Sequence, residues 1–166
     1  MRDHIITKPL TLQAYAMHRM VAELCTGSTY QFVDRGDYFI VRTSKEITST
    51  GKALVLPLSG AVIAFELRAS VAARHKNTNL YPDTNDWRFR RAWLEKYGAR
   101  FGFEILALNV TSKHLKIRNK DERTFSIDST DFTGVLKVTD ANQFKDALHK
   151  GIGRVGKAFG MGMLVI

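Results

Sequence analysis

Residues 151–166 read GIGRVGKAFGMGMLVI, and their reading decides what kind of fold the chain has. Four glycines (Gly151, Gly153, Gly156, Gly160) and two cations (Arg154, Lys157) stand between a helical pattern and an apolar end. Glycine lets a backbone approach a ligand closely, and the N–H groups it exposes suit phosphate oxygens. Two nucleotide motifs can be laid over the stretch. Gly151-x-Gly153-x-x-Gly156 has the spacing of a dinucleotide fingerprint, and Gly151-x4-Gly156-Lys157 gives most of a P-loop. Both motifs require a strand before the glycines and a helix after them. Here a helix precedes, and Ala158 stands where a P-loop carries the Ser or Thr that holds Mg²⁺. The loop is therefore neither.

Working outward, Asp140 is an N-cap for a helix to Lys150, with Gly151 as its C-terminal stop and residues 161–166 as a closing strand. Apolar and polar residues alternate over 103–110, 113–118, 122–128 and 131–138, which predicts four strands. Residues 83–101 predict a helix with Trp87, Leu94, Tyr97 and Phe101 on one side. Residues 71–84 have little periodicity and read as a linker. Before it, Leu10, Ala14, Met17, Val21 and Leu24 predict a helix over 10–25. Short strands are expected at 3–7, 30–33, 38–43, 52–58 and 62–70. The expected fold class is α+β: two tandem ferredoxin-like (RRM-like) domains with antiparallel sheets. Their expected bounds are 1–72 and 85–166, joined by 73–84.

The chain has 166 residues, 45% of them hydrophobic, a net charge of +9 and one cysteine. That composition supports a buried core and excludes a disordered chain. The excess of cations points to a polyanionic partner, nucleic acid before membrane. Cys25 alone cannot form an intramolecular disulfide or a cysteine zinc site, and it falls on the apolar side of the first helix, where a buried inert thiol is expected. The N-terminal residues carry no signal-peptide core and no segment is apolar over a membrane-spanning length, so a cytoplasmic protein without a membrane partner is expected.

Three groups of residues could carry chemistry. Tyr15 and His18, three apart on the first helix, fall at the edge of its apolar stripe. Histidine titrates near neutral pH and can act as base or acid when a ribose 2′-OH attacks the adjacent phosphate. The bland alternative is a boundary histidine that caps the core with one edge in water. The second group is the run Lys113, His114, Lys116, Arg118, Lys120 and Arg123, in which Lys116, Arg118 and Lys120 share one face of a β-ribbon turning at Asn119–Asp121. Such a face can lie along a phosphate backbone or stand merely solvated. The third is the second helix, with Arg88, Arg90, Arg91, Lys96 and Arg100 among aromatic residues. The five histidines show no metal-ligand spacing, and no cofactor or metal is expected.

Together the segments His149–Ile166, Leu12–Met20, Phe65–Ser70 and Arg91–Phe103 resemble the CasE-type CRISPR-associated endoribonucleases, which cut precursor CRISPR RNA within each repeat. The resemblance implies two ferredoxin-like domains, recognition of a CRISPR repeat RNA hairpin, and metal-independent cleavage at its 3′ base. The products would be a 2′,3′-cyclic phosphate and a 5′-OH, with the mature RNA staying bound in an interference complex beside other CRISPR subunits. It carries His18 to the catalytic histidine and Tyr15 to its partner. Arg19 would stand beside the scissile region, and Arg154 and Lys157 would hold phosphates with the glycines at 151, 153, 156 and 160. Lys113, Lys116, Arg118 and Lys120 would enter the hairpin's groove, with Arg88 and Arg91 on the RNA side of the second helix. In the first domain, only Ser44–Thr50 occupies the place of a second helix. A non-catalytic RNA-hairpin-binding module of the same fold, a nucleotide-binding protein and a protein-contact scaffold are the rivals.

Overall fold

The same strand order is built twice. In chain order the elements are β1 (Arg2–Thr7), α1 (Ala14–Leu24), β2 (Tyr30–Asp34), β3 (Tyr38–Thr43) and β4 (Lys52–Ala53). Then come β5 (Val62–Ala69), β6 (Ala73–His75), β7 (Thr78–Leu80), α2 (Trp87–Phe101), β8 (Phe103–Arg118) and β9 (Thr124–Val138). The chain ends with α3 (Ala141–Lys150), a 3₁₀ turn (Lys157–Phe159) and β10 (Leu164–Val165). The structure is a computed structural model that describes residues 1–9, 14–48, 50–76, 78–118 and 123–166, with backbone alone at 14, 15, 74 and 75.

The first sheet runs β4-β1-β3-β2 and the second β10-β5-β9-β8, both antiparallel. Numbered within each unit, both orders are fourth-first-third-second, the ferredoxin-like arrangement, so the expected fold class holds. The described residues of 44–51 form no helix, so the first unit has one helix and the second has two.

The sheets divide the chain elsewhere than at residue 72. β5 precedes that point, yet it pairs with β9 and β10 and is the first strand of the second sheet. The reason lies in its alternation: Phe65, Leu67 and Ala69 point into the core made by Phe132, Leu136, Phe144 and Leu148. Residues 73–80, expected as a linker, form the small hairpin β6–β7 between β5 and α2.

Three strand expectations also change. The four strands expected over 103–138 are two long ones, β8 and β9, paired to Arg118↔Thr124 with one bulge at Leu106. The polar residues at 111–112 and 128–130 suggested breaks, but Asp128, Ser129 and Thr130 are buried instead. The strand expected over 52–58 stops at Ala53, where exposed Val55, Leu56 and Leu58 flank Pro57, which has no ladder N–H. At the other end, Gly162 interrupts the strand expected over 161–166, its N–H donating to the Arg68 carbonyl at 2.7 Å.

A buried ion pair explains the polar centre of the ribbon. Arg90 and Asp128 are both fully buried, with Arg90 Nη1 2.8 Å from Asp128 Oδ1. The Val71 N–H donates to Asp128 Oδ2 at 3.0 Å, and Arg90 Nη2 donates to the Asp83 carbonyl at 3.1 Å. The Thr130 hydroxyl touches both members. One guanidinium thus ties α2, the segment before it, β5's end and the ribbon together.

Removing one member leaves the other charged and dry. Asp128→Ala is expected to cost about 3–5 kcal/mol, read as a lower urea midpoint. Arg90→Met combined with Asp128→Leu should recover much of that loss, and no recovery would mean that the network shapes the ribbon beyond its charge balance.

Candidate functional site

α1 buries Met17, Val21 and, just past its end, Cys25 against Phe32, Phe39 and Val41 of the first sheet. Burial pushes the Cys25 thiol pKa up, in keeping with an inert packing role. The pattern of 3.6 residues per turn then sets His18 at the edge of the packed stripe, half-buried, and Arg19 outside it. Arg19 lies 3.6 Å from Glu23 on the exposed face. Tyr15 stands one turn before His18 on the backbone of α1, and its side chain lies outside the described residues.

His18 is met by Tyr30 from β2. The Tyr30 hydroxyl lies 3.4 Å from His18 Nδ1, and the rings are 6.4 Å apart. A phenol held there can accept from Nδ1–H and leave Nε2 to gain or lose a proton. Burial raises the Tyr30 pKa, so the hydroxyl stays protonated through the working range of a histidine. Sequence reasoning did not single out Tyr30, because the contact joins a helix to a strand by side-chain direction, which spacing does not show.

The glycine-rich loop comes to the same place from the other unit. Its 3₁₀ turn packs on α1 and β2. Gly151 ends α3 at φ +73°, where a Cβ would lie 2.6 Å from Gln31 Oε1 and from the Gly162 carbonyl. Gly160, also at φ +73°, sits against the Phe32 ring and the Asp34 N–H. A side chain at either position would push the loop off β2. Their N–H groups are used internally, Gly151 to the Ala147 carbonyl and Gly160 to the Lys157 carbonyl. The amides of Gly153, Arg154, Val155 and Gly156 make no backbone hydrogen bond to a described residue.

Lys157 Nζ donates to the Lys150 carbonyl at 2.7 Å, which caps the end of α3 and holds the ammonium beside the loop. Partial desolvation there lowers its pKa. Tyr30, Gln31, His149, Lys150, Lys157 and Met161 line a cleft of about 460 Å³ between β2 and the loop. The structure thus brings Tyr30, the partner of His18, and Lys157 to one cleft.

The remaining predicted residues lie on two other surfaces. Lys116 and Arg118 are exposed on one ribbon face with His114, while Leu115 and Ile117 pack behind them toward Met161 and Phe159. Lys113 is exposed on the opposite face, and Lys120 lies outside the described residues. On α2, Arg91 is paired with Glu95 at 2.7 Å and Arg88 lies over the Trp87 ring at 5.5 Å. Arg154 is exposed beside Trp93 and Tyr97, on the side of the loop toward α2.

His149 gives the cleft a pH dependence. Burial first, then the charge of Lys145, lowers its pKa below the usual 6.5. The unfolded chain therefore takes up this proton before the folded one as pH falls, and stability is lost below about 6.5. His149→Gln is expected to flatten the fall in unfolding free energy between pH 6.5 and 5, measured by urea titration at each pH. An unchanged slope would show that the ring is solvated.

The fold has close counterparts among solved structures, although no curated protein sequence matches the chain. CRISPR endoribonuclease Cse3 bound to a 19-nucleotide RNA superposes with a TM-score of 0.81 at 20% identity, covering 99% of this chain and 97% of that one. Thermus thermophilus Cse3, bound to an RNA representing a pre-cleavage complex, gives 0.77 at 21% identity over 99% and 97%. Cas6e from Escherichia coli K-12 gives 0.77 at 19% identity over 99% and 98%. These likenesses carry the two-unit fold. Residues 46–166, most of the chain, match the family model described as CRISPR associated protein, and the chain belongs to that family.

Proposed function

We propose that the protein binds a CRISPR repeat RNA hairpin and cleaves it at the hairpin's 3′ base, with His18 moving the proton. The observation that carries this reading is that Tyr30, which holds the half-buried His18, lines one cleft with Lys157 of the glycine-rich loop. A ribose 2′-OH needs a base to take its proton, and the departing 5′ oxygen needs an acid. His18 Nε2, with Nδ1 turned to Tyr30, is placed for one of these transfers. Tyr15, one turn away on α1, is its proposed partner in positioning or protonation. The products are a 2′,3′-cyclic phosphate and a 5′-OH.

Charge that develops on the phosphate needs donors already in place. The unspent amides between Gly153 and Gly156, with Lys157, are the proposed donors, and Arg154, on the other side of the loop, is a further proposed RNA contact. The exposed Lys116–Arg118 face would follow the duplex, with Lys113, Lys120, Arg19, Arg88 and Arg91 as outlying phosphate contacts. The structural relatives support RNA and complex partners: Cse3 is bound to RNA, and a chain of a CRISPR RNA-guided surveillance complex superposes with a TM-score of 0.74 at 20% identity, covering 99% of this chain and 98% of that one. The same partners are proposed here, with product RNA retained for assembly.

The first test is incubation of the protein with a labelled repeat hairpin in EDTA. Cleavage at one site is expected from the wild type, and loss of at least about 10²-fold in rate from His18→Ala with hairpin affinity nearly unchanged. Loss of affinity instead would make His18 a binding residue, and tight binding without any product would favour the non-catalytic module. A second test joins Arg154→Ala to Lys157→Ala. The plot of log affinity against log salt should flatten by about 0.7–0.9 for each phosphate contact removed. An unchanged slope would place the loop away from the RNA.

A further inference from the structure

Behind the glycine loop, on the side away from His18, a second recess opens where β5's end, the β6–β7 hairpin and α2 meet. Its volume is about 210 Å³, and Ser70, Asn79, Trp93, Tyr97 and Arg154 line it. Pockets for drug-sized ligands start near 300 Å³, so a single ring system suits this space better than a whole nucleotide. The residues show a built site. Ser70 is 2% exposed, and its hydroxyl has no hydrogen-bond partner among the described residues. A buried hydroxyl without a partner is costly, and a ligand that supplies one removes the cost.

The walls are flat. Trp93 stacks on Phe132 at an interplanar angle of 4°, and its ring centroid lies 4.6 Å from that of Tyr97. Gly153 sits beside the Trp93 edge, 3.4 Å from a would-be Cβ, and puts no side chain of its own over the ring. Arg154 has no ion-pair partner among the described residues. The recess continues into a groove of about 610 Å³ over the same two rings, with Phe89, Lys96 and Arg100 along it. Among the described residues, no carboxylate lines either space.

We infer that the recess binds one unpaired nucleobase of an RNA and that the adjoining groove carries the flanking phosphates. Aromatic faces hold a base by stacking, and lysine and arginine beside them hold the backbone. The Arg154 guanidinium and the Ser70 hydroxyl match the carbonyl and ring-nitrogen acceptors of a base. The Asn79 amide oxygen matches an exocyclic amine. The site takes RNA as its ligand from the proposed function, but it needs no catalysis.

The test uses fluorescence. The chain has two tryptophans, so Trp87→Phe leaves Trp93 as the sole reporter. Single-stranded hexaribonucleotides of one base each, titrated at low salt, are expected to quench it saturably, and inorganic phosphate is not. Ser70→Ala should weaken binding about 5–10-fold with the melting temperature unchanged, because it removes a hydroxyl that bonds no described residue. Arg154→Ala should weaken it and reduce its salt dependence. Absence of quenching, quenching by phosphate alike, or affinity untouched by both substitutions would overturn the inference, the first of these leaving the groove to a protein partner. A protein that cleaves hairpins without quenching would lose the recess and keep the proposed function. One that quenches without cleaving would keep the recess and lose the catalytic reading.

Discussion

Arg42 is the contact on which the arrangement of the two units depends. Its guanidinium is fully buried and held by both Asp3 oxygens at 2.7 Å. Its remaining reach crosses to the other unit, where Nη1 donates to the Leu164 carbonyl at 2.8 Å and the Leu148 carbonyl at 3.2 Å. Gln31 joins it, donating to the same Leu148 carbonyl at 2.9 Å. These carbonyls belong to the last turn of α3 and to β10, the two anchors of the glycine-rich loop. One cation of the first sheet therefore fixes where the second unit's loop begins and ends.

The loop would otherwise have no reason to lie on β2. Its glycines let it pass close to Gln31 and Phe32, and closeness without an anchor gives no fixed position. With α3 held by Arg42 and Gln31, Lys157 reaches back to the Lys150 carbonyl and the 3₁₀ turn settles against α1. Tyr30 of one unit, which holds His18, and the loop of the other then share a cleft. The geometry is that of a site made between domains, where ligand sites commonly lie.

The second buried arginine does comparable work inside the second unit. Arg90 fixes α2 to the ribbon, and with it Trp93 one turn and Tyr97 two turns further along the helix. His114, 3.8 Å from Asp128, is drawn to the same network at the ribbon's surface. The ribbon's basic face and the Trp93 recess are thus set by one ion pair, from two sides. Both arginines are buried cations in a chain of net charge +9, and each is matched by an aspartate and backbone carbonyls.

Local pattern made much of this legible. The period of α1 placed His18 at a boundary, the N-cap Asp140 and Gly151 bounded α3, and the alternation of Leu115 and Ile117 with Lys116 and Arg118 gave the ribbon's two faces. These are properties of residues three, four or two apart, and sequence spacing contains them. Which strand pairs with which is not such a property. Val62–Ala69 reads as a strand from its own residues, but only the core formed by Phe132, Leu136 and Phe144 decides that it opens the second sheet. The polar stretch around Asp128 looked like a break because its partner, Arg90, lies 38 residues away. The contact of Tyr30 with His18 and the tie from Arg42 to Leu148 are of the same kind. The sequence by itself determined the elements, the faces and the charge; the tertiary structure decided the pairings, because long-range contacts follow side-chain direction and burial that no local spacing encodes.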